Sequence, residues 1–159
     1  MSERIRGNEY RYFTVCIDRL DGSIMSGSYY NPYLTGGQKF TGLLDLILGI
    51  DGLLNEMGNV QQGCSIRSFT KNSDASNDNI GTSVPERGEL ATFSIKILFR
   101  QNASWQGSVT WIEGQAEESF RSVLELIYLM NSACMASSRK IFIAKSKRPG
   151  RVSFFLWEK

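Results

Sequence analysis

Two stretches of the chain alternate hydrophobic and polar residues, which is the period of a half-buried β-strand. The first carries Phe13, Val15 and Ile17 on one face, and the second carries Phe93, Ile95, Ile97 and Phe99. A turn and a return strand follow each: Asp21-Gly22 precedes residues 23–31, and residues 100–104 precede residues 105–112. The pattern predicts two β-hairpins.

Apolar residues then recur at helical spacing over residues 38–56 and 116–136. The first stripe comprises Phe40, Leu43, Leu44, Ile47, Ile50 and Leu54, and the second comprises Phe120, Val123, Leu124, Ile127 and Met130. Further leucines, among them Leu46, Leu48 and Leu126, widen both stripes. Stripes of this width predict helices that pack on a sheet and also against each other.

More strands are expected after each helix. Residues 64–70 form one candidate, and residues 140–145 and 152–157 form a hairpin around the turn 147–150. The segment 71–90 between the two halves is rich in Asn, Asp, Ser and Gly, which predicts a flexible linker.

The two halves match each other without a gap at an offset of 80 residues, with 8 identities over residues 13–54 and 93–134. Strand, glycine and helix positions coincide, including Gly27 with Gly107 and Phe40 with Phe120. A tandem duplication therefore accounts for the pattern, although two similar amphipathic units would also match.

The predicted fold class is α+β, a duplicated hairpin–helix–strand unit with antiparallel sheets, two helices and a pseudo-twofold axis. Residues 1–70 form the first unit, 71–90 the linker and 91–159 the second unit. One core shared by both units is expected, because each unit alone buries little apolar surface.

The composition excludes several kinds of catalytic and metal site. The 159 residues include no histidine, which excludes histidine-based catalytic triads and histidine-ligated zinc. The cysteines, Cys16, Cys64 and Cys134, have no motif spacing and are read as reduced thiols of a cytoplasmic protein. No apolar run is long enough to span a membrane. We expect no enzyme, no cofactor and no metal; the one carboxylate pair that symmetry would bring together is Asp45 with Glu125.

Residues 91–133 resemble short, uncharacterised proteins of Firmicutes that share an RQNxxWQGxVxW motif followed by FRSxLEL. The matching residues are Arg100, Gln101, Asn102, Trp105, Gln106, Gly107, Val109, Trp111, Phe120, Arg121, Ser122, Leu124, Glu125 and Leu126. The resemblance implies a bacterial or mobile-element source and names no activity.

Charge is unevenly distributed along the chain. Residues 139–159 hold seven basic groups and one acid, whereas the rest of the chain is net acidic. Lys145, Lys147, Arg148 and Arg151 surround the predicted C-terminal hairpin, interleaved with aromatic residues, a pattern suited to nucleic acid. A solvent-exposed edge hairpin whose lysines prevent aggregation would give the same pattern.

A second candidate contact lies at the turn of the second hairpin. Its side chains, Arg100, Gln101, Asn102 and Gln106, can donate hydrogen bonds to phosphate or to base edges. Trp105 and Trp111 would either stack on bases or pack in the core. We therefore expect a non-catalytic binding module that contacts nucleic acid. The alternative is a protein-binding inhibitor or adaptor of a phage or mobile element, for example of the anti-CRISPR type, monomeric or homodimeric.

Overall fold

A computed structural model describes residues 8–58, 69 and 87–147 of the chain. After a short 3-10 helix at Asn8–Arg11, three strands lead into a helix: β1 (Tyr12–Asp21), β2 (Ile24–Tyr30), β3 (Gln38–Thr41) and α1 (Leu43–Met57). The same order follows in β4 (Ala91–Phe99), β5 (Gln106–Trp111), β6 (Ala116–Phe120) and α2 (Val123–Ser146). The fold is therefore α+β.

The strands form one open antiparallel sheet in the order β3-β2-β1-β4-β5-β6. The central pair is β1 with β4, where Thr14 lies opposite Ser94. Ile17 faces Gly27 before a register shift in the first hairpin, and Ile97 faces Gly107 before a register shift in the second. Because β1 and β4 are central, the two halves of the sheet share one continuous core.

That core lies between one face of the sheet and the helices. Alternate residues of β1 and β4 are almost fully buried and meet the buried faces of α1 and α2: Phe13, Val15, Ile17, Phe93, Ile95, Ile97, Leu46, Ile50, Leu54, Leu126 and Met130. The backbone of α1 lies on β2 and β3, and that of α2 lies on β4, β5 and β6. The predicted alternation is confirmed for Phe13, Val15 and Ile17 and for Phe93, Ile95 and Ile97. The prediction for Phe99 is wrong: this residue follows the register shift in β4 and is 54% exposed.

Both helices begin later than their apolar pattern predicts. Residues 38–41 and 116–120 are strands, and Phe40 and Phe120 lie opposite Gly27 and Gly107 in the sheet. Each phenylalanine lies at helical spacing from the apolar residues that follow it. The predicted helices therefore wrongly included the strand before them. The Ser122 hydroxyl accepts a hydrogen bond from the backbone N–H of Glu125 and begins α2.

The prediction of a strand at residues 140–145 is wrong, because this segment forms the last turns of α2. Its basic residues and alanine favour a helix, and no proline or glycine interrupts the chain before Pro149. The return strand at 152–157 lies outside the described residues, as does the candidate strand at 64–70 except for an exposed bend at Phe69. Of the predicted linker only residues 87–90 are described, and the Leu90 backbone N–H donates to the Ile17 carbonyl.

Candidate binding surfaces

The predicted polar cluster at the second hairpin turn divides between the interior and the surface. The Arg100 side chain is only 2% exposed, and its Nη2 donates to Asp51 Oδ1 at 2.7 Å and to Asn55 Oδ1 at 2.8 Å. Gln101 and Asn102 are exposed in the turn, and Gln106 opens β5 half-buried. Arg100 therefore holds α1 to the hairpin and does not face solvent.

Trp105 belongs to the same buried arrangement. Its indole Nε1 donates to Asp51 Oδ1 at 3.1 Å, so one carboxylate oxygen accepts from two side chains of the hairpin. The residue is 3% exposed and packs in the core. A buried, paired indole cannot stack on a base without unfolding this corner of the molecule.

Trp111 is half-buried on the helix side of the sheet. It lies opposite Phe93 in the β4–β5 ladder and packs against the core. The Lys140 ammonium stands 5.6 Å from its ring centroid, a cation–π contact that ties α2 to β5. Trp105 and Trp111 thus face the helices, and neither lies on the opposite face of the sheet.

The basic C-terminal region has a different shape from the one predicted. Arg139, Lys140, Lys145 and Lys147 lie at the exposed end of α2, together with Ile141, Phe142 and Ile143. No acidic residue lies between Arg139 and Lys147. Arg148 and Arg151 lie outside the described residues. The exposed cations that the structure describes in this region therefore lie at the end of one helix.

The outer surface of the two helices exposes large apolar side chains. Leu44 and Leu48 of α1 are 73% and 61% exposed, and Leu124 and Tyr128 of α2 are 61% and 67% exposed. Residues four apart are neighbours on a helix, so each pair forms one patch in the first two turns. The second side of these wide stripes was expected to pack in the interior, but it remains uncovered.

A cleft of about 150 Å³ opens between β6 and α2. Its walls are mainly apolar and are formed by Phe93, Val109, Trp111, Ala116, Leu129 and Ala133, with Glu118 and Ser132 beside them. Sequence reasoning missed this cleft, because the helix was predicted to include residues 116–120 and no edge strand was expected there.

The face of the sheet opposite the described helices carries mainly polar side chains. Side chains that alternate with the buried ones include the half-buried Thr14, Ser28, Ser94, Ser108 and Thr110. The Lys96 ammonium lies 5.1 Å from the centroid of the Tyr12 ring on this face. Cys16 and Thr92, which also lie on this face, are buried at 4% exposure each.

The carboxylates at the starts of the two helices accept hydrogen bonds from nearby backbone N–H groups. Asp45 Oδ2 accepts from the Thr41 backbone N–H at 3.0 Å, and Glu125 Oε2 accepts from the Arg121 backbone N–H at 2.7 Å. Hydrogen bonds from Arg121 lower the pKa of Glu125. Each carboxylate closes the first turn of its own helix, and no metal-binding group of three or more His, Cys, Asp or Glu occurs among residues 8–58 and 87–147.

The two described cysteines are buried free thiols, Cys16 and Cys134. Burial raises the pKa of the Cys134 thiol to about 11, and the Glu113 carboxylate adds to the effect. A thiol with this pKa stays protonated at neutral pH, which disfavours nucleophilic chemistry at this position.

Comparisons with known proteins give no match: no family model, no curated protein and no solved structure corresponds to this chain. None of the helices described is long and apolar enough to cross a membrane.

Proposed function

We propose that this chain is a non-catalytic binding module whose partner is a protein, engaged through the outer faces of α1 and α2. The observation that carries the proposal is the exposure of Leu44, Leu48, Leu124 and Tyr128. Single exposed leucines are common on soluble proteins, but adjacent pairs at the same place on two helices form patches that mark interaction surfaces.

Burial of these four side chains would stabilise a complex formed through the same surface. Removing one such side chain from water contributes about 1.5–3 kcal/mol. Part of that gain is lost to the entropy of association. An inhibitor or adaptor of a phage or other mobile element, the anti-CRISPR type included, fits this proposal, and we expect it to act in the cytoplasm.

We further propose that the two halves are copies of one strand-strand-strand-helix unit, related by an approximate twofold axis between β1 and β4. Support comes from the register: the Thr14–Ser94 pair and the Gly27 and Gly107 pairs all agree with an offset of 80 residues. The backbone contacts of Asp45 and Glu125 follow the same offset. Such a symmetry would present two copies of one apolar patch to a partner.

Capture of partners from source cells tests the protein-binding proposal. We compare the wild-type chain with the variant Leu44→Gln/Leu48→Gln/Leu124→Gln/Tyr128→Gln. Because exposed positions tolerate substitution, each change should alter the free energy of unfolding by less than about 0.5 kcal/mol. Recovery of the partner, measured by quantitative mass spectrometry, should fall tenfold or more.

The matched control is Ile24→Gln/Phe99→Gln, which removes two comparably exposed apolar side chains from the hairpins. This control should recover the partner at the wild-type level. Equal recovery by all three proteins would contradict the proposal. Sedimentation of the purified chain shows in parallel whether the partner is a second copy.

A second candidate partner is nucleic acid, favoured by the exposed cations at the end of α2. In a fluorescence-anisotropy titration with single-stranded and duplex oligonucleotides, Arg139→Gln/Lys145→Gln/Lys147→Gln should weaken binding equally for all sequences. The slope of log affinity against log salt should fall by about 2–3, since each phosphate contact contributes about 0.7–0.9. Absence of wild-type binding at low salt would remove nucleic acid from consideration.

A further inference from the structure

β6 is an edge strand of the sheet formed by the described residues. It pairs with β5 on one side and ends the six-stranded sheet on the other. Four of its five residues, Ala116 to Ser119, are exposed. An edge of this kind offers a row of backbone donors and acceptors to an incoming strand.

The cleft against α2 lies directly beside that edge. Ala116 and Glu118 lie opposite Trp111 and Val109, so their side chains point towards the helix and line the cleft. A volume of about 150 Å³ is comparable to apolar cavities that accept a benzene-sized group. One leucine or phenylalanine side chain of a docked strand would therefore fill it.

The other edge of the sheet has different side chains at the equivalent positions. At the positions 80 residues earlier, Tyr29 stands in place of Val109 and Gly49 in place of Leu129. The Tyr29 hydroxyl lies against Gly49, where a methyl group would collide with it. In the first half of the chain, the Tyr29 side chain occupies the space that corresponds to the cleft. The edge strand there, β3, has only four residues.

Charge indicates which peptide would dock. Glu117 and Glu118 lie side by side on β6, and Glu113 lies in the preceding turn. Residues 112–120 contain no basic residue. Of the cations next to this segment, Arg121 pairs with Glu125 and the Lys140 ammonium lies over the Trp111 ring. Because neighbouring strand residues point to opposite faces, a docked strand would place its apolar residue in the cleft and its flanking residues beside Glu117. Basic flanking residues are complementary to that carboxylate.

We propose that the β6 edge and the adjoining cleft bind an extended basic peptide of a partner protein by strand addition, with one apolar side chain inserted beneath α2. Main-chain hydrogen bonds would supply affinity and the cleft would supply specificity. The site is separate from the outer helix faces, so it stands or falls independently of the function proposed above.

The test uses the full chain and a synthetic peptide, acetyl-Ser-Lys-Thr-Lys-Leu-Lys-Thr-Lys-Ser-amide, as the probe. In heteronuclear NMR titration we expect shifts of the backbone amides of residues 116–119 and of Ala133. Replacing the peptide's leucine with aspartate should weaken binding tenfold or more. Glu117→Lys/Glu118→Lys should do the same, and since both positions are exposed this variant should fold.

Two controls separate the possible outcomes. Leu44→Gln/Leu48→Gln, on the outer helix face, should bind the peptide like the wild type and so distinguish this site from the proposed protein-binding surface. Val109→Tyr/Leu129→Gly, which copies the filled arrangement of the first half, should lose binding while far-ultraviolet circular dichroism reports its fold. Absence of shifts at millimolar peptide, shifts confined to other surfaces, or pairing of β6 with a second copy in place of the peptide would overturn the proposal.

Discussion

Alanine at Gly27 or at Gly107 is expected to destabilise the protein by about 1–3 kcal/mol in each case, the range for forcing extra atoms into a packed site. A methyl group at Gly27 would collide with the Cys16 carbonyl, and one at Gly107 would collide with the Lys96 carbonyl. Backbone atoms of a sheet centre cannot move aside as a flexible side chain does, so the ladder itself must shift.

Urea denaturation followed by fluorescence measures both changes. Gly52→Ala is the control, because a methyl group there meets nothing within 4 Å on an exposed part of α1. Alanine in a helix is favoured over glycine by up to about 1 kcal/mol, so this variant should be slightly stabilised. A small effect at Gly107 beside a large one at Gly27 would contradict the equivalence of the two hairpins.

Asp51→Leu is expected to destabilise the chain by about 3–5 kcal/mol, because it removes a carboxylate that is hydrogen-bonded to a guanidinium only 2% exposed. Asn55 remains as an acceptor for Arg100 but carries no charge. Trp105 loses its acceptor in the same variant. Both losses act on the corner where α1 meets the second hairpin.

A double-mutant cycle separates the ion pair from its surroundings. Arg100→Met/Asp51→Leu should cost less than Asp51→Leu alone, since no uncompensated charge then remains buried. Glu56→Leu, an exposed carboxylate of the same helix, should change the free energy of unfolding by less than about 0.5 kcal/mol. Equal costs for Asp51→Leu and Glu56→Leu would show that the pair contributes nothing.

The sequence predicts most strands of the sheet, but the predicted starts of both helices and the predicted strand at residues 140–145 are wrong. Alternation in β1 and β4 identified the buried face, since only a strand places every second residue on one side. The same approach failed at Phe40 and Phe120, because one apolar residue ahead of a helix has no period of its own. It failed again at residues 140–145, where a short apolar run between basic residues suits a strand and a helix equally.

The surfaces were harder to predict than the fold. Arg100 and Asp51 are 49 residues apart, so nothing in the local pattern marks them as partners. Arg100 in a polar turn suggested a ligand contact, and only the three-dimensional structure brings α1 over it. The exposed leucines were predicted to be buried. The sequence shows that the apolar stripe of each helix is wide, but which side of the stripe stays exposed depends on how the helices lie on the sheet.

The most direct test of the protein-binding proposal is hydroxyl-radical footprinting of the chain, free and in the captured complex, with mass spectrometric readout. Oxidation at Leu44, Leu48, Leu124 and Tyr128 should fall several-fold in the complex, while Ile24 and Phe99 should react as in the free chain. Protection of Ile24, Phe99 or Phe142, with the four helix residues unchanged, would contradict the account and place the partner elsewhere.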